Sequence, residues 1–377
     1  MTPDAVLDAP FLSTVPPTTA VFIVLIAATL VLHMLFMHYA LAGALLVAWS
    51  SLRGRSLGTT PGRLAAIVRE WLPFAVSGAI TAGIAPLLFV QVVYQGSFYT
   101  ANLLLFNGWM AILPALILAM WLLYLSKAHH AARSRVAKAT VATLAAGLIV
   151  FVGRAFVENH LVSLAPASWV AMYEGGASMS SLVIWTRLAM WIGMAFTTLA
   201  SLVAWQVLGG ACGSRMAERA SLARPLSRLA VLGLIATAAA WWWHGHTSPA
   251  FMQSWLSPAA RPWLACALTG ATASVAAWGM MAMRGMITGR LVALAVSATT
   301  LTLLGAAMVR EVQRLAELAG TPSAARSVEL GGGAIVFAIA AVGGLAVIGW
   351  IVATVRRTPR TSVSHCALGA ERGVRRD

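Results

Sequence analysis

The chain has 377 residues, of which 60% are hydrophobic and only 10% charged, and its mean hydropathy is +0.82. Soluble domains carry roughly 25% charged residues, so a water-facing surface of ordinary extent cannot be built from this composition and lipid must cover most of it. The net charge of +15 does not indicate nucleic acid, because the basic residues lie in short loops between apolar runs and no basic stripe with interleaved aromatics occurs.

The first residues, Met1 to Pro17, carry Asp4 and Asp8 and no Lys or Arg. A signal peptide needs a positive n-region, so this stretch reads as an extracytoplasmic tail. Crossing the hydrocarbon takes about 20 apolar residues, and nine segments qualify: 19–50, 72–95, 103–126, 137–156, 179–208, 227–246, 262–283, 287–309 and 331–355. Gly285 suits a tight turn between the seventh and eighth. The expected fold is therefore an all-α polytopic membrane bundle, one domain over 1–357, followed by a basic, disordered tail over 358–377. Cys212, Cys266 and Cys366 form neither a CxxC pair nor a CxxCH haem-attachment site, which leaves disulfide and zinc readings unsupported.

Loop charges alternate. Arg53, Arg55, Arg63 and Arg69 follow segment 1; Lys127, Arg133, Arg135 and Lys138 follow segment 3; Arg215, Arg219, Arg224 and Arg228 follow segment 5; Arg356, Arg357 and Arg360 follow segment 9. The intervening loops are poor in basic residues or balance them with Glu. Basic loops stay cytoplasmic, so the N-terminus is expected outside and the C-terminus inside. Trp241, Trp242 and Trp243, with Trp255 and Trp263 nearby, fit the interfacial belt on the outer side.

Ionisable residues at membrane depth are costly and few here, so each is a candidate site. Segment 1 holds His33 and His38. Five residues at roughly 100° each put them about 140° apart, so one metal cannot take both from one face; His38 shares its face with Met34. A membrane His is a haem ligand, a proton relay or a hydrogen-bonding link between helices. Segment 4 ends with Arg154, Glu158, Asn159 and His160. Arg154 and Glu158 are four apart and suit an ion pair; the cluster reads either as an interfacial salt bridge or as a site for a quinol head or proton exit. Arg187 in segment 5 must snorkel, pair, or meet an anionic group. Segment 8 ends in MVREVQRLAEL, where Glu311 could ligate a metal, relay protons or pair with Arg310 or Arg314. No HExxH, P-loop or nucleophile elbow occurs, so hydrolase and nucleotide chemistry gain no support.

These features resemble subunit I of the cytochrome bd quinol oxidases, a family with nine helices in this orientation in the bacterial cytoplasmic membrane. LHMLFMHYALAG in segment 1 is similar to the family's YHFLFVPLTLG and puts His33 at a haem-ligand position. ITAGIAPLLFVQVVYQGSFY resembles a segment-2 stretch of the family, and MVREVQRLAEL resembles its AEYGRQPW, which puts Glu311 at a haem-ligating Glu and Arg314 at its Arg. The resemblance implies haem b held by His33 and Glu311, with His38 nearby and Arg187, Arg154 or Arg314 on the propionates. It also implies quinol as electron donor, with Glu158 and His160 taking protons, and a redox partner such as cytochrome c or a subunit II-like chain. Departures stand beside it. Ala189 falls where the family has a low-spin haem His, the run from Arg261 to Cys266 offers no Met ligand, and the quinol-binding loop shrinks to roughly 15 residues. Two other readings follow from those losses: a haem-free anchor subunit of a larger complex, or a transporter, although no inverted repeat is visible.

Overall fold

Pro17 opens the first long helix at the position where a missing N–H costs nothing, and 36 residues then run without a charged side chain. The computed structural model describes residues 2–328 apart from 56–57, 129–133, 210–215, 323 and 326, and parts of 331–350. In chain order the helices are α1 (Pro3–Asp8), α2 (Pro17–Leu52), α3 (Thr60–Val93), α4 (Gln95–Leu104), α5 (Phe106–Met110), α6 (Ile112–Ala128), α7 (Arg135–Ser163), α8 (Trp169–Tyr173), α9 (Ser181–Gly209), α10 (Met216–Thr247), α11 (Pro249–Leu256), α12 (Arg261–Arg284) and α13 (Gly289–Leu318). No strand occurs among the described residues. Eight stretches of helix are long and apolar enough to cross a membrane: α2, α3, α5 with α6, α7, α9, α10, α12 and α13. The protein is thus an all-α polytopic membrane bundle.

Eight of the nine expected segments appear as spans. The ninth, 331–355, is described only in part, where Ile335–Gly344 is a short apolar helix; the remainder, the tail over 358–377, Cys212 and Cys366 lie outside the described residues. Residues Met1–Val328 form one compact unit, and Glu329 onward is a second. The helices overrun the predicted segments at their polar ends. α3 begins at Thr60 rather than 72, capped by the Thr59 hydroxyl, which accepts from Gly62 N–H. α7 begins on Ser134, whose hydroxyl accepts from Ala137 N–H, and runs seven residues beyond the expected 156. Hydropathy marks only the lipid-immersed part of a helix, while caps and charged turns carry it further. Residues 96–102, expected as a loop, are helical in α4, set off from α3 by a break at Tyr94 (φ −118°, ψ 39°). α12 ends on Gly285 at φ +59°, the left-handed conformation that the turn into α13 requires.

α2 packs against α3, α7, α9 and α13 and forms the middle of the bundle. The main core joins Leu41, Val68, Leu72, Leu199, Val203, Leu226, Trp278 and Val292 from six helices. α9 and α10 approach closely because Gly193 faces Gly233: a Cβ on Gly193 would lie 2.7 Å from Thr237 N, and one on Gly233 would lie 2.7 Å from Gly193 O. Small residues at such contacts are how helices pack where lipid offers no hydrophobic drive. On α6, Leu113, Ile117, Trp121 and Tyr124 form one outward stripe; such a patch needs an apolar solvent.

A buried arginine cluster beside an apolar cavity

Five helix termini meet at one end of the bundle. The C-terminal turns of α3, α7, α10 and α13 and the N-terminal turns of α9 bring together Tyr94, His160, His244, the stretch Arg310–Arg314, and Arg187. Helices that alternate in direction place these ends on one side, as the loop charges require.

α13 supplies most of the polar groups. Positions three and four apart share a helix face, so Arg310, Glu311, Gln313 and Arg314 all turn inward over one stretch. Glu311 is fully buried and Arg314 is 3% exposed. Nη1 of Arg314 donates to both Glu311 oxygens at 3.0 Å. The Arg314 guanidinium also lies 4.9 Å from the Tyr94 ring centroid, and the enclosed Tyr94 hydroxyl sits against the Glu311 carboxylate in poor hydrogen-bond geometry.

Arg187 does not snorkel. It is 3% exposed and donates from Nη1 to Gln313 Oε1 at 3.2 Å and to His244 Nε2 at 3.5 Å, and from Nη2 to His160 Nε2 at 3.2 Å. Its charge rests 5.2 Å from the Phe251 ring centroid. His244 is anchored on its other side, Nδ1 to the Thr186 hydroxyl, at 2.9 Å.

His160 is the centre of the cluster and exposes its chemistry. Arg187 Nη2 and Arg310 Nε both donate to its Nε2, and Arg314 Nη2 approaches its Nδ1 at 3.3 Å. A neutral imidazole has one lone pair, so three guanidinium donors compete for one acceptor. Among the described residues of the cluster, three arginines, Arg187 and Arg314 buried and Arg310 partly so, face a single carboxylate. Two positive charges are therefore uncompensated, at a cost of several kcal/mol per ion in a low-dielectric setting. The terminal nitrogens of Arg310 have no hydrogen-bond partner among the described residues. An anion placed here would balance that charge.

A cavity of about 360 Å³ adjoins the cluster. Arg310, Arg314, His160, Asn159 and Ser163 line its polar end; the remaining walls are mainly apolar residues from α2, α3, α7 and neighbours, with Ser97 and His33 among them. His33 Nδ1–H donates to Ala79 O at 2.8 Å, which fixes the tautomer and leaves Nε2 an unprotonated lone pair without a partner among the described residues. The ring fits against α3 because residue 83 is glycine: a Cβ there would lie 2.9 Å from His33 Nδ1.

The other expected residues are distributed differently. Arg154 and Glu158 form the foreseen ion pair at 2.9 Å, but they line a separate, more polar cavity of about 340 Å³ with Asn107 and Trp109. Glu158 and His160 are two residues apart, hence on different faces, and the structure does not bring them together. Glu311 is engaged by Arg314 and is not on the wall of the large cavity. His38 points to α9, where its Nδ1 meets the Thr198 hydroxyl at 3.0 Å. Ala189, which the resemblance sets where a low-spin haem ligand is expected, is exposed on the outside of α9. No group of three or more His, Cys, Asp or Glu suited to a metal occurs among the described residues. The roles of Gln313, Thr186, Tyr94 and Phe251 were not legible in sequence, because their partners lie far along the chain; the inward spacing of polar residues on α13 was the signal available. No protein-family model matches the sequence, and none of the curated proteins matches it.

Proposed function

We propose that this protein is the membrane subunit of a respiratory or photosynthetic-type electron-transfer complex in the bacterial cytoplasmic membrane, with its N-terminus outside, and that it binds one haem b in the large cavity. The observation that carries the reading is the pairing, across one apolar cavity, of an anchored imidazole with a bare lone pair and a polar end of excess arginines. Haem fits those residues. His33 would hold the iron through Nε2, its ring fixed by Ala79 O as ligating histidines usually are. Arg310 and Arg314 would hold the two carboxylates, and two negative charges balance the cluster. Bound haem supplies one-electron exchange.

The chain's own groups do the rest. The Ile, Leu and Val walls exclude water. Gly83 and Ala79 keep the His33 ring in one orientation. Arg187 positions His160, and through it the two arginines that face the cavity. The second ligand that the resemblance implies, Glu311, does not fit this role, since its carboxylate is taken by Arg314. Electrons would be exchanged with the quinone pool or with a docked partner such as cytochrome c or a subunit II-like chain.

The test is a reduced-minus-oxidised spectrum of the purified protein. The α-band of a b-type haem should be present and should be lost in His33→Ala. A band that survives His33→Ala removes the ligand assignment, and the absence of any band removes the haem reading and leaves an anchor subunit.

A further inference from the structure

His38 is anchored in the same manner as His33 but faces different chemistry. The Thr198 hydroxyl donates its one proton to Met194 O at 3.0 Å. The 3.0 Å contact between His38 Nδ1 and Thr198 Oγ1 is therefore donated by the imidazole, and Nε2 is left as the lone pair. That nitrogen is enclosed and has no hydrogen-bond partner. An unpaired buried acceptor is costly, and it asks for an explanation.

The surroundings are thioethers. Met34 lies one turn before His38 on the same face of α2, and Met194 lies one turn before Thr198 on α9. Both belong to one buried cluster with Met308 of α13, and Met37 packs at its edge. Three helices thus bring three methionine sulfurs into one cluster, and His38, one turn from Met34 and tied to α9 through Thr198 one turn from Met194, adjoins it. Neutral, soft donors of this kind select Cu(I) over Zn, Mn or Mg. A univalent ion is also the cheapest charge to hold where no anion compensates it.

We infer that His38, Met34, Met194 and Met308 form a Cu(I) site. Met34 also lines the large cavity, so the ion would sit beside that cavity. The assignment does not rest on the haem reading. If instead the methionines only fill gaps in the core, no copper binds.

The experiment loads the full-length protein, purified in detergent, with Cu(I) buffered by bicinchoninate under anaerobic reducing conditions, and measures metal per chain after desalting. One copper per chain should be retained, and Zn(II) added the same way should not be. His38→Ala should lower retention at least tenfold. The volume-conserving changes Met194→Leu and Met308→Leu should do the same while gel filtration and any haem band stay unchanged; they carry the test if His38→Ala does not fold. A wild-type protein that retains no copper overturns the inference, as does equal retention by wild type and both leucine variants. Loss of the haem band with copper retained would sink the haem reading and leave this one standing.

Discussion

Replacing Glu311 by Gln removes the single carboxylate among the three guanidiniums of the cluster, two of them buried. Both oxygens of Glu311 are bonded to Arg314 at 3.0 Å, and neither residue is more than 3% exposed. Breaking a buried pair from one side typically costs about 3–5 kcal/mol, because the remaining charge is left desolvated. At about 1.4 kcal/mol per decade, that is a shift of two to nearly four orders of magnitude in the unfolding equilibrium. The control is Glu70→Gln, which breaks the 2.6 Å ion pair with Lys127 at side-chain exposures of 41% and 61%; exposed pairs contribute under about 1 kcal/mol. Unfolding midpoints in mixed detergent–SDS micelles should separate the two variants clearly. The double variant Glu311→Gln, Arg314→Gln should recover part of the loss, since it removes the stranded charge. Equal midpoints for Glu311→Gln and Glu70→Gln would refute the idea that the cluster is a desolvated, anion-hungry site. The same variant separates two roles for Glu311. An iron ligand changed to Gln shifts the haem band, whereas the partner of Arg314 leaves its position unaltered.

Arg310→Gln should lower the haem content of the purified protein, while Arg154→Gln, on the other cavity, should not; pyridine haemochrome assays give both numbers. Gly83→Val should displace the His33 ring and break its bond to Ala79 O, lowering haem content to the level of His33→Ala. Gly193→Val places side-chain atoms against the backbone of α10 and should destabilise the bundle by more than the usual 1–3 kcal/mol of overpacking. Gly279→Ala, where a Cβ meets nothing within 4 Å, should instead be neutral or gain about 0.5–1 kcal/mol from helix propensity. A cysteine introduced at the exposed Ser178, between α8 and α9, should react with an impermeant maleimide in intact cells, and one at the exposed Ala217, at the start of α10, only after lysis; the reverse pattern overturns the proposed orientation.

The spans were legible because lipid imposes one rule on every residue of a segment. Pro17 and Gly285 punctuate helices by local chemistry, and both could be read from neighbours alone. The Arg154–Glu158 pair was equally local. The arginine cluster was not. Arg187 meets Gln313 across 126 positions and His160 meets Arg314 across 154, and no periodicity within one helix reports such a pairing. Sequence proximity also misled: Glu158 and His160 look like one cluster in the text of the chain, yet two residues of helix turn them onto different cavities.

The cluster also bears on the choice between a redox subunit and a passive anchor. Buried arginines do not stabilise a membrane bundle. Replacing a buried ionic set with packed apolar residues is often neutral or favourable by about 1–4 kcal/mol, and an anchor needs only its helix contacts, which the Gly193–Gly233 approach and the α2-centred core already supply. An anchor has no use for a third guanidinium, nor for an imidazole held so that its lone pair remains unpaired beside an apolar cavity. Both features cost stability in isolation, and under the proposed reading an anion with an apolar body and a Lewis-acidic metal would offset that cost. The exposed Ala189 limits the proposal in the other direction: a histidine at that place on α9 would point out of this chain's bundle. The proposed reading is accordingly a single centre, gathered at the end of the bundle where five helix termini meet.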